Sequence, residues 1–199
     1  MKLFGSKFFS AVALLTLGAA FCLTGCDELP GLENVEGQDI ITTRDETVDN
    51  NGNYSELSEG DTAPDFTAEL VDGSKFVLSE NSGKVVLINL WATWCGPCVE
   101  EMPAFEKLNK EYGDDVQIVC VNCMEPKSDV DSFVKENGYT FPIAYDESGA
   151  VSFKYPTQGI PYTLVVGKDG KVKNIYVGSM GMEEQYSAYK DAIDAALAD

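Results

Sequence analysis

The stretch that decides the fold is Trp91-Ala92-Thr93-Trp94-Cys95-Gly96-Pro97-Cys98. An apolar run over 85–90 leads into it, with the Val and Ile residues that favour a buried strand. After it, apolar residues recur at helical spacing as far as Tyr112, which predicts a helix. We therefore expect Cys95 to open that helix and Cys98 to lie in its first turn.

A cysteine at this strand-to-helix junction is well placed for thiolate chemistry. The first N–H groups of a helix lack partners and the N-terminal end is positive, so a thiolate is favoured over a thiol. Pro97 suits the first turn because its missing N–H would have no partner there. The stretch predicts a dithiol–disulfide redox site. A purely structural bridge and a metal knuckle are the alternatives.

The N-terminus has the pattern of a bacterial lipoprotein signal. Lys2 and Lys7 precede an apolar run without acids that is too short and wrongly flanked for a membrane-spanning helix. It ends in Leu23-Thr24-Gly25-Cys26, which resembles a lipobox. We predict a signal peptide over 1–25 and lipid on Cys26, which would hold the protein at a membrane. The alternative is ordinary cleavage nearby, with Cys26 left as a free thiol.

Residues 26–60 are acidic, polar and rich in Gly and Asn, a composition that cannot bury enough apolar surface to order itself. We predict a lipidated, disordered tether over 26–60 and one folded domain over 61–199. The 199-residue chain has a formal net charge of -19. A charge of this sign argues against binding to nucleic acid and against electrostatic adhesion to anionic lipid.

The chain has six cysteines and no histidine. The lack of histidine excludes Cys–His nucleophile pairs, His-ligated metals and haem attachment of the Cys-x-x-Cys-His kind. Two cysteines fall in the signal and the lipobox. Four are left for the folded domain: Cys95, Cys98, Cys120 and Cys123.

Cys120 and Cys123 form a second Cys-x-x-Cys with three interpretations. They could join the first pair in a four-thiolate zinc site. They could form a second disulfide, but only if the strand ends before Cys123, because three residues of strand span about 10 Å. In the third interpretation, Cys120 packs in the core and Cys123 lies near the strand end, where it could exchange with the main pair.

Two Asp-Gly pairs, Asp72-Gly73 and Asp169-Gly170, predict hairpin turns. Between them, apolar strands over 116–121 and 141–145 alternate with helical patterns, and a last helix runs from Met182 to Leu197. Strands alternating with helices, closed by a hairpin and a helix, predict an α/β fold with a mixed sheet covered on both faces.

Several motifs together resemble thioredoxin-like proteins and, more narrowly, the TlpA/ResA-like family. Besides Trp-Cys-Gly-Pro-Cys they are Ala63-Pro64-Asp65-Phe66, Asn89-Leu90-Trp91-Ala92, Glu101-Met102-Pro103, Val121-Asn122 and Gly159-Ile160-Pro161. The resemblance extends from Ala63 to the C-terminus. It implies a thioredoxin-like α/β fold, with a central mixed sheet flanked by helices, an N-terminal β-hairpin and a central helix–strand insertion.

The resemblance also implies an extracytoplasmic, membrane-anchored thiol–disulfide oxidoreductase on a bacterial cell membrane. Its substrate would be a protein disulfide, its partner a transmembrane electron donor, and its only redox group the Cys95–Cys98 disulfide. No further cofactor or metal is expected, and we expect a monomer. Family members reduce apocytochrome cysteines for haem attachment, reduce other secreted proteins, or support oxidant defence.

Other functions stay open beside this one. The direction of electron flow is not fixed by the sequence, so a disulfide-donating oxidase is one alternative. A non-catalytic lipoprotein module with a structural disulfide is another. A peroxidase of the peroxiredoxin type is disfavoured because Ala92 stands where such a site needs threonine.

The resemblance assigns roles around the cysteines. Cys95 is expected to be the nucleophile and Cys98 the resolving cysteine. In thioredoxin-like folds the proline matching Pro161 is cis and lies against the cysteines, and the residue before it offers backbone to the substrate. The candidate substrate-binding residues are Trp94, Gly96, Pro97, Ile160 and Pro161.

Glu101 is the candidate proton carrier. It follows Cys98 by three residues, so it lies on the same side of the predicted helix. Ordinary thioredoxins place a buried aspartate in the incoming strand, where this chain has Asn89, which cannot titrate. The TlpA/ResA-like family places a functional glutamate at the position of Glu101. A solvated glutamate near a helix start is the alternative.

Overall fold

The computed structural model describes Val48 and residues 52–199, and the fold is that of these residues. The predicted signal peptide over 1–25, the lipid site Cys26 and most of the tether over 26–60 lie outside them. No helix within the described residues is long and apolar enough to cross a membrane.

Seven β-strands and three α-helices make up the described chain. In chain order they are β1 Thr67–Glu69, β2 Lys75–Val77, β3 Val85–Trp91, α1 Gly96–Tyr112, β4 Val116–Cys123, α2 Lys127–Asn137, β5 Ile143–Asp146, β6 Tyr162–Val166, β7 Val172–Val177 and α3 Met182–Ala198. The Asp-Gly turns join β1 to β2 and β6 to β7, as predicted.

The five-stranded sheet has the order β5-β4-β3-β6-β7. Its strands β3, β4 and β5 are parallel, whereas β6 runs antiparallel to both β3 and β7. The carboxyl ends of β3, β4, β5 and β7 and the start of β6 therefore meet at one edge. The β1–β2 hairpin forms a separate two-stranded sheet, and α2 with β5 is the central insertion. The predicted thioredoxin-like α/β fold is confirmed.

Successive side chains of β3 point to opposite faces of the sheet, so the core consists of two clusters, one on each face. Val85, Leu87 and Trp91 pack beneath side chains from the three α-helices. The intervening residues of β3 pack against the β1–β2 hairpin, the segment before it and the connection between β5 and β6. Because both faces are covered, β3 is buried along its whole length.

The folded domain begins slightly before the predicted boundary at Asp61. Leu57 is buried in the cluster that contains the hairpin. The Gly60 N–H donates to Val172 O at 2.8 Å, and the Ala63 N–H donates to Gly170 O at 3.0 Å. Backbone pairing with β7 and its turn, which composition does not indicate, orders this end of the predicted tether.

A first prediction concerns Gly138, which ends α2 in the left-handed conformation with φ 69° and ψ 28°. A Cβ there would meet no atom within 4 Å, so a substitution costs backbone strain alone. We expect Gly138→Ala to lower the free energy of unfolding by about 1 kcal/mol. Gly138→Asn should lose less, because asparagine tolerates this conformation. Urea unfolding followed by circular dichroism measures both, and equal losses would contradict the strain argument.

Candidate active site

Cys95 and Cys98 form a disulfide with their Cα atoms 5.2 Å apart. Cys95 is the N-cap of α1, and its Sγ accepts the Cys98 N–H at 3.3 Å. Cys95 is 6% exposed, whereas Cys98 is fully buried. A solvent-borne thiol or disulfide therefore reaches Cys95 first, and a thiolate on Cys95 would lie at the positive end of a 17-residue helix.

The other wall of the site is the segment before β6. The Ile160–Pro161 peptide bond is cis, and Ile160 O lies 3.8 Å from Cys95 Sγ. The Gly178 N–H donates to Pro161 O at 2.8 Å, which ties this segment to the end of β7. Three further predicted contact residues are exposed beside the disulfide: Trp94, Gly96 and Pro97. All five predicted substrate contacts thus lie at one edge of the sheet, and their binding role stays a prediction.

Glu101 is fully buried, so the alternative of a solvated glutamate is wrong. Its two carboxyl oxygens accept hydrogen bonds from Asn89 Nδ2 at 3.0 Å and from the Tyr189 hydroxyl at 3.1 Å. Burial raises the pKa of Glu101 to about 8, although both hydrogen bonds favour the ionised form. Below pH 8 this carboxyl therefore holds a proton in the disulfide form, one helical turn from Cys98.

A fourth residue completes a buried group with Glu101, Asn89 and Tyr189. Asn89 Nδ2 also donates to Thr163 Oγ1 at 2.9 Å, and the Thr163 and Tyr189 hydroxyl oxygens are 2.9 Å apart. The exposed fraction of each of the four residues is 0%. We call these four residues the polar ring. It joins α1, β3, β6 and α3 beneath the disulfide.

A second carboxylate, Glu125, holds the loop that carries the cysteines. It accepts hydrogen bonds from the Thr93 N–H at 2.7 Å and from the Thr93 hydroxyl. Asn122 Nδ2 donates to the same carboxylate at 2.6 Å. Glu125 is 9% exposed, so these contacts are shielded from solvent. It fixes the β3–α1 loop to the residues that follow β4.

Three residues of the polar ring and of the contact with the Thr93 loop were not predicted from the sequence: Thr163, Tyr189 and Glu125. Thr163 lies in an apolar strand and Tyr189 on the apolar face of a helix, so both patterns indicate core packing. Only the tertiary contact with Glu101 identifies them. Glu125 could have been predicted as a site residue, because it follows Asn122 by three residues at the end of an apolar strand. The carboxyl end of that strand meets the edge that holds the cysteines.

Cys120 and Cys123 are free thiols. Since β4 runs through Cys123, the two side chains point to opposite faces of the sheet, so neither a bridge nor a shared zinc ion is possible. Burial raises the pKa of both thiols, that of Cys120 well above its usual value. Among the described residues, no group of three or more Cys, Asp or Glu could hold a metal ion.

Comparison with known proteins adds independent findings. The Redoxin family profile matches residues 58–193. The thioredoxin-like protein YneN of Bacillus subtilis is 40% identical over 131 residues, which cover 64% of this chain and 76% of YneN. The thiol–disulfide oxidoreductase ResA of Geobacillus thermodenitrificans is 40% identical over 129 residues, covering 64% of this chain and 74% of ResA.

A solved structure gives the same result for the fold. The crystal structure of a protein assigned as the thiol:disulfide interchange protein DsbE from Chlorobium tepidum superposes with a TM-score of 0.66 and 31% identity. The match covers 71% of this chain and 99% of that one. The similarity therefore extends over the whole of the solved chain.

A second prediction follows from the burial of Glu101. The pKa is about 8 in the folded protein against an ordinary 4.5, so between these pH values the folded state holds a proton that the unfolded state has lost. The contribution of Glu101 to stability is therefore full below pH 4.5, falls as the pH rises, and is lost above pH 8. As the pH rises from 4.5 to 8.5, the free energy of unfolding of Glu101→Gln should increase by about 2–4 kcal/mol relative to that of the unsubstituted protein.

Urea unfolding of the oxidised proteins at pH 4.5, 6.5 and 8.5 measures this difference. Glu100→Gln is the matched control, since Glu100 is the exposed neighbour of Glu101 on the same helix. A stability difference for Glu101→Gln that does not change with pH would show that Glu101 ionises normally.

Proposed function

The chain belongs to the Redoxin family and is a thiol–disulfide oxidoreductase, and from this premise we propose that it reduces protein disulfides outside the cytoplasm through Cys95 and Cys98. Cys95 is the nucleophile in this proposal and Cys98 is the resolving cysteine. The geometry in support is the N-cap position of Cys95, with its small exposed fraction, above a fully buried Cys98.

The observation that carries the choice of a protein substrate is the distribution of exposed apolar side chains. Five large hydrophobic residues are exposed in the described chain, and we call them the apolar rim: Trp94, Met124, Phe153, Val177 and Met180. Trp94 follows β3 and Met124 follows β4. Val177 ends β7, and Met180 comes shortly after it. Phe153 belongs to the connection from β5 to β6. All of these positions lie at the sheet edge that carries the disulfide. Exposed apolar surface concentrated at one place is typical of a protein-binding surface.

Electron transfer starts when the Cys95 thiolate attacks a substrate disulfide. A bond forms between Cys95 and one substrate sulfur, and the other substrate sulfur leaves as a thiolate. In the mixed disulfide, the substrate backbone lies against Ile160 and Pro161. The apolar rim supplies contacts on either side of that segment.

The second step releases the substrate. The Cys98 thiol passes its proton to the Glu101 carboxylate, and the Cys98 thiolate attacks Cys95. The Cys95–Cys98 disulfide forms, and the second substrate sulfur leaves as a thiolate that takes a proton from water. Two electrons have then moved from the enzyme dithiol to the substrate. A donor dithiol restores the enzyme by the reverse chemistry, in which protonated Glu101 returns its proton to Cys98.

The location in the proposal rests on the N-terminal sequence and on the family. The lipobox cysteine, Cys26, would carry the lipid that anchors the protein to a bacterial membrane, with the acidic tether over 26–60 between lipid and domain. The donor dithiol would then belong to a membrane protein that brings electrons across. The physiological settings that the family resemblance offers are reduction of apocytochrome cysteines, reduction of other secreted proteins and oxidant defence.

A third prediction tests the reaction. The full-length protein should catalyse reduction of insulin by dithiothreitol, and Cys95→Ser should lower the rate at least a hundredfold. Cys98→Ser should accumulate mixed disulfides, because the resolving thiol is absent. Cys123→Ser is the matched control and should keep its activity, since Cys123 is a free thiol on the opposite face of the sheet from the polar ring.

The reduction potential of the Cys95–Cys98 disulfide distinguishes the proposed reductant from a disulfide-donating oxidase. A value near about -270 mV supports a reductant, whereas one near about -120 mV would mark a disulfide-donating oxidase. Absence of insulin reduction, together with a disulfide that resists dithiothreitol, would contradict the proposal and leave a structural module.

A fourth prediction tests the location. Expressed in a bacterium with lipoprotein processing, the full-length protein should sediment with membranes and take up labelled palmitate. Cys26→Ser should abolish the labelling, whereas Cys22→Ser, four residues earlier, should leave it unchanged. Labelling that survives Cys26→Ser would overturn the assignment of the lipid site.

A further inference from the structure

The polar ring of Asn89, Glu101, Thr163 and Tyr189 is built from four of the elements that surround the space beneath the disulfide. β3, α1, β6 and α3 contribute one residue each, and all four residues are fully buried. Their polar atoms are joined by contacts of 2.9 to 3.1 Å. Buried polar groups without partners are costly, so a ring this closely joined keeps each member in one orientation.

The protons of the ring can all be assigned at once when Glu101 is ionised. Asn89 Nδ2 carries two, which go to Glu101 and to Thr163. The single Thr163 hydroxyl proton then goes to the Tyr189 oxygen, and the Tyr189 proton goes to Glu101. Every donor has an acceptor, and each carboxylate oxygen accepts one bond.

The ring also accommodates a protonated Glu101. Within the described chain, Asn89 Oδ1 has no hydrogen-bond partner. Turning the amide of Asn89 by 180° exchanges its donor for that acceptor. Oδ1 then accepts from the protonated Glu101 and from Thr163, and Tyr189 still donates to the second carboxyl oxygen, while Nδ2 moves to the position where Oδ1 had no partner. Tyr189 is the donor to Glu101 in both of these arrangements.

We propose that Tyr189 is a positioning residue that holds Glu101 in place to exchange a proton with Cys98. This inference rests on the proposed function, in which Glu101 carries the proton of the resolving cysteine. Tyr189 reaches the site from α3, and no cysteine lies on that helix, so its action on the reaction passes through Glu101. When Glu101 is ionised, the Thr163 hydroxyl, 2.9 Å away, donates to the Tyr189 oxygen and leaves the Tyr189 proton for Glu101.

The pH at which Glu101 ionises depends on the titratable and polar groups that face it. Cys98 lies on its own helix, Cys120 faces it from β4 and Tyr189 from α3, while β3 and β6 contribute the neutral side chains Asn89 and Thr163. Burial is the main reason that the pKa of Tyr189 is raised, so Tyr189 stays a donor throughout the accessible pH range. The Tyr189 hydrogen bond favours ionised Glu101 and opposes the effect of burial. Its loss should therefore move the Glu101 titration to higher pH.

The fifth prediction is made for Tyr189→Phe in the full-length, oxidised protein with 13C-labelled glutamate. The carboxyl carbon of Glu101, identified by its loss in Glu101→Gln, should titrate about one pH unit higher, a tenfold gain in proton affinity. In the reduced protein, the pH–rate profile for a model disulfide should move in the same direction. Adding Tyr189→Phe to Glu101→Gln should cause no further movement of the profile.

Tyr176→Phe is the matched control. Its ring packs edge-to-face on that of Tyr189, but its hydroxyl donates to Ala188 O at 3.1 Å and not to Glu101. It should leave both measurements unchanged. Thr163→Val breaks the ring at another bond and should cause a smaller shift in the same direction, which keeps the test available if Tyr189→Phe does not fold.

A Glu101 titration unchanged in both Tyr189→Phe and Thr163→Val would overturn the inference. The carboxyl measurement needs no substrate, so its result is independent of the proposed function. Failure of insulin reduction in the unsubstituted protein would overturn that function while the titration still reports on Tyr189.

Discussion

The position of β3 at the centre of the sheet is the constraint on which the redox site depends. β3 is hydrogen-bonded on both sides and buried along its whole length, so its carboxyl end cannot shift without breaking two ladders. α1 must begin within a few residues of that end. This places Cys95 at the first free N–H groups of α1 and turns Cys98 inward. The chemistry of the two cysteines is thus set by a strand whose own residues are almost all apolar.

The two buried carboxyl groups near the disulfide, Glu101 and Glu125, differ in the hydrogen-bond donors that surround them. Glu125 accepts hydrogen bonds from a backbone N–H, a hydroxyl and an amide, and these bonds hold the Thr93 loop. Glu101 has two donors and full burial. Its desolvation outweighs those bonds, and its pKa rises to about 8. In the proposed reaction Glu101 carries a proton, whereas the contacts of Glu125 give it a structural role.

The sequence predicted the elements well and the buried polar contacts poorly, for a physical reason. Apolar periodicity and Asp-Gly turns are local signals, and they located the strands, the hairpins and the α3 helix. The motif resemblance predicted the neighbourhood of Cys95 and Pro161, which lie far apart along the chain. Pairing of Gly60 with Val172 depends on a ladder that no local pattern records. In the same way, Tyr189 in α3 looks like any aromatic core residue until its hydroxyl is seen against Glu101.

The absence of histidine gives the raised pKa of Glu101 its significance. A carboxyl with the usual pKa of about 4.5 would lie roughly four units below an ordinary thiol, so taking a proton from such a thiol would cost about 5 kcal/mol. At about 8, the pKa of Glu101 is far closer to that of an ordinary thiol, so in the proposed reaction its carboxylate is a much stronger proton acceptor than an ordinary one. The proposed cycle needs such an acceptor, because Glu101 takes up a proton in one half of it and returns the proton in the other. Burial in the polar ring gives a carboxyl the proton affinity that histidine would otherwise supply.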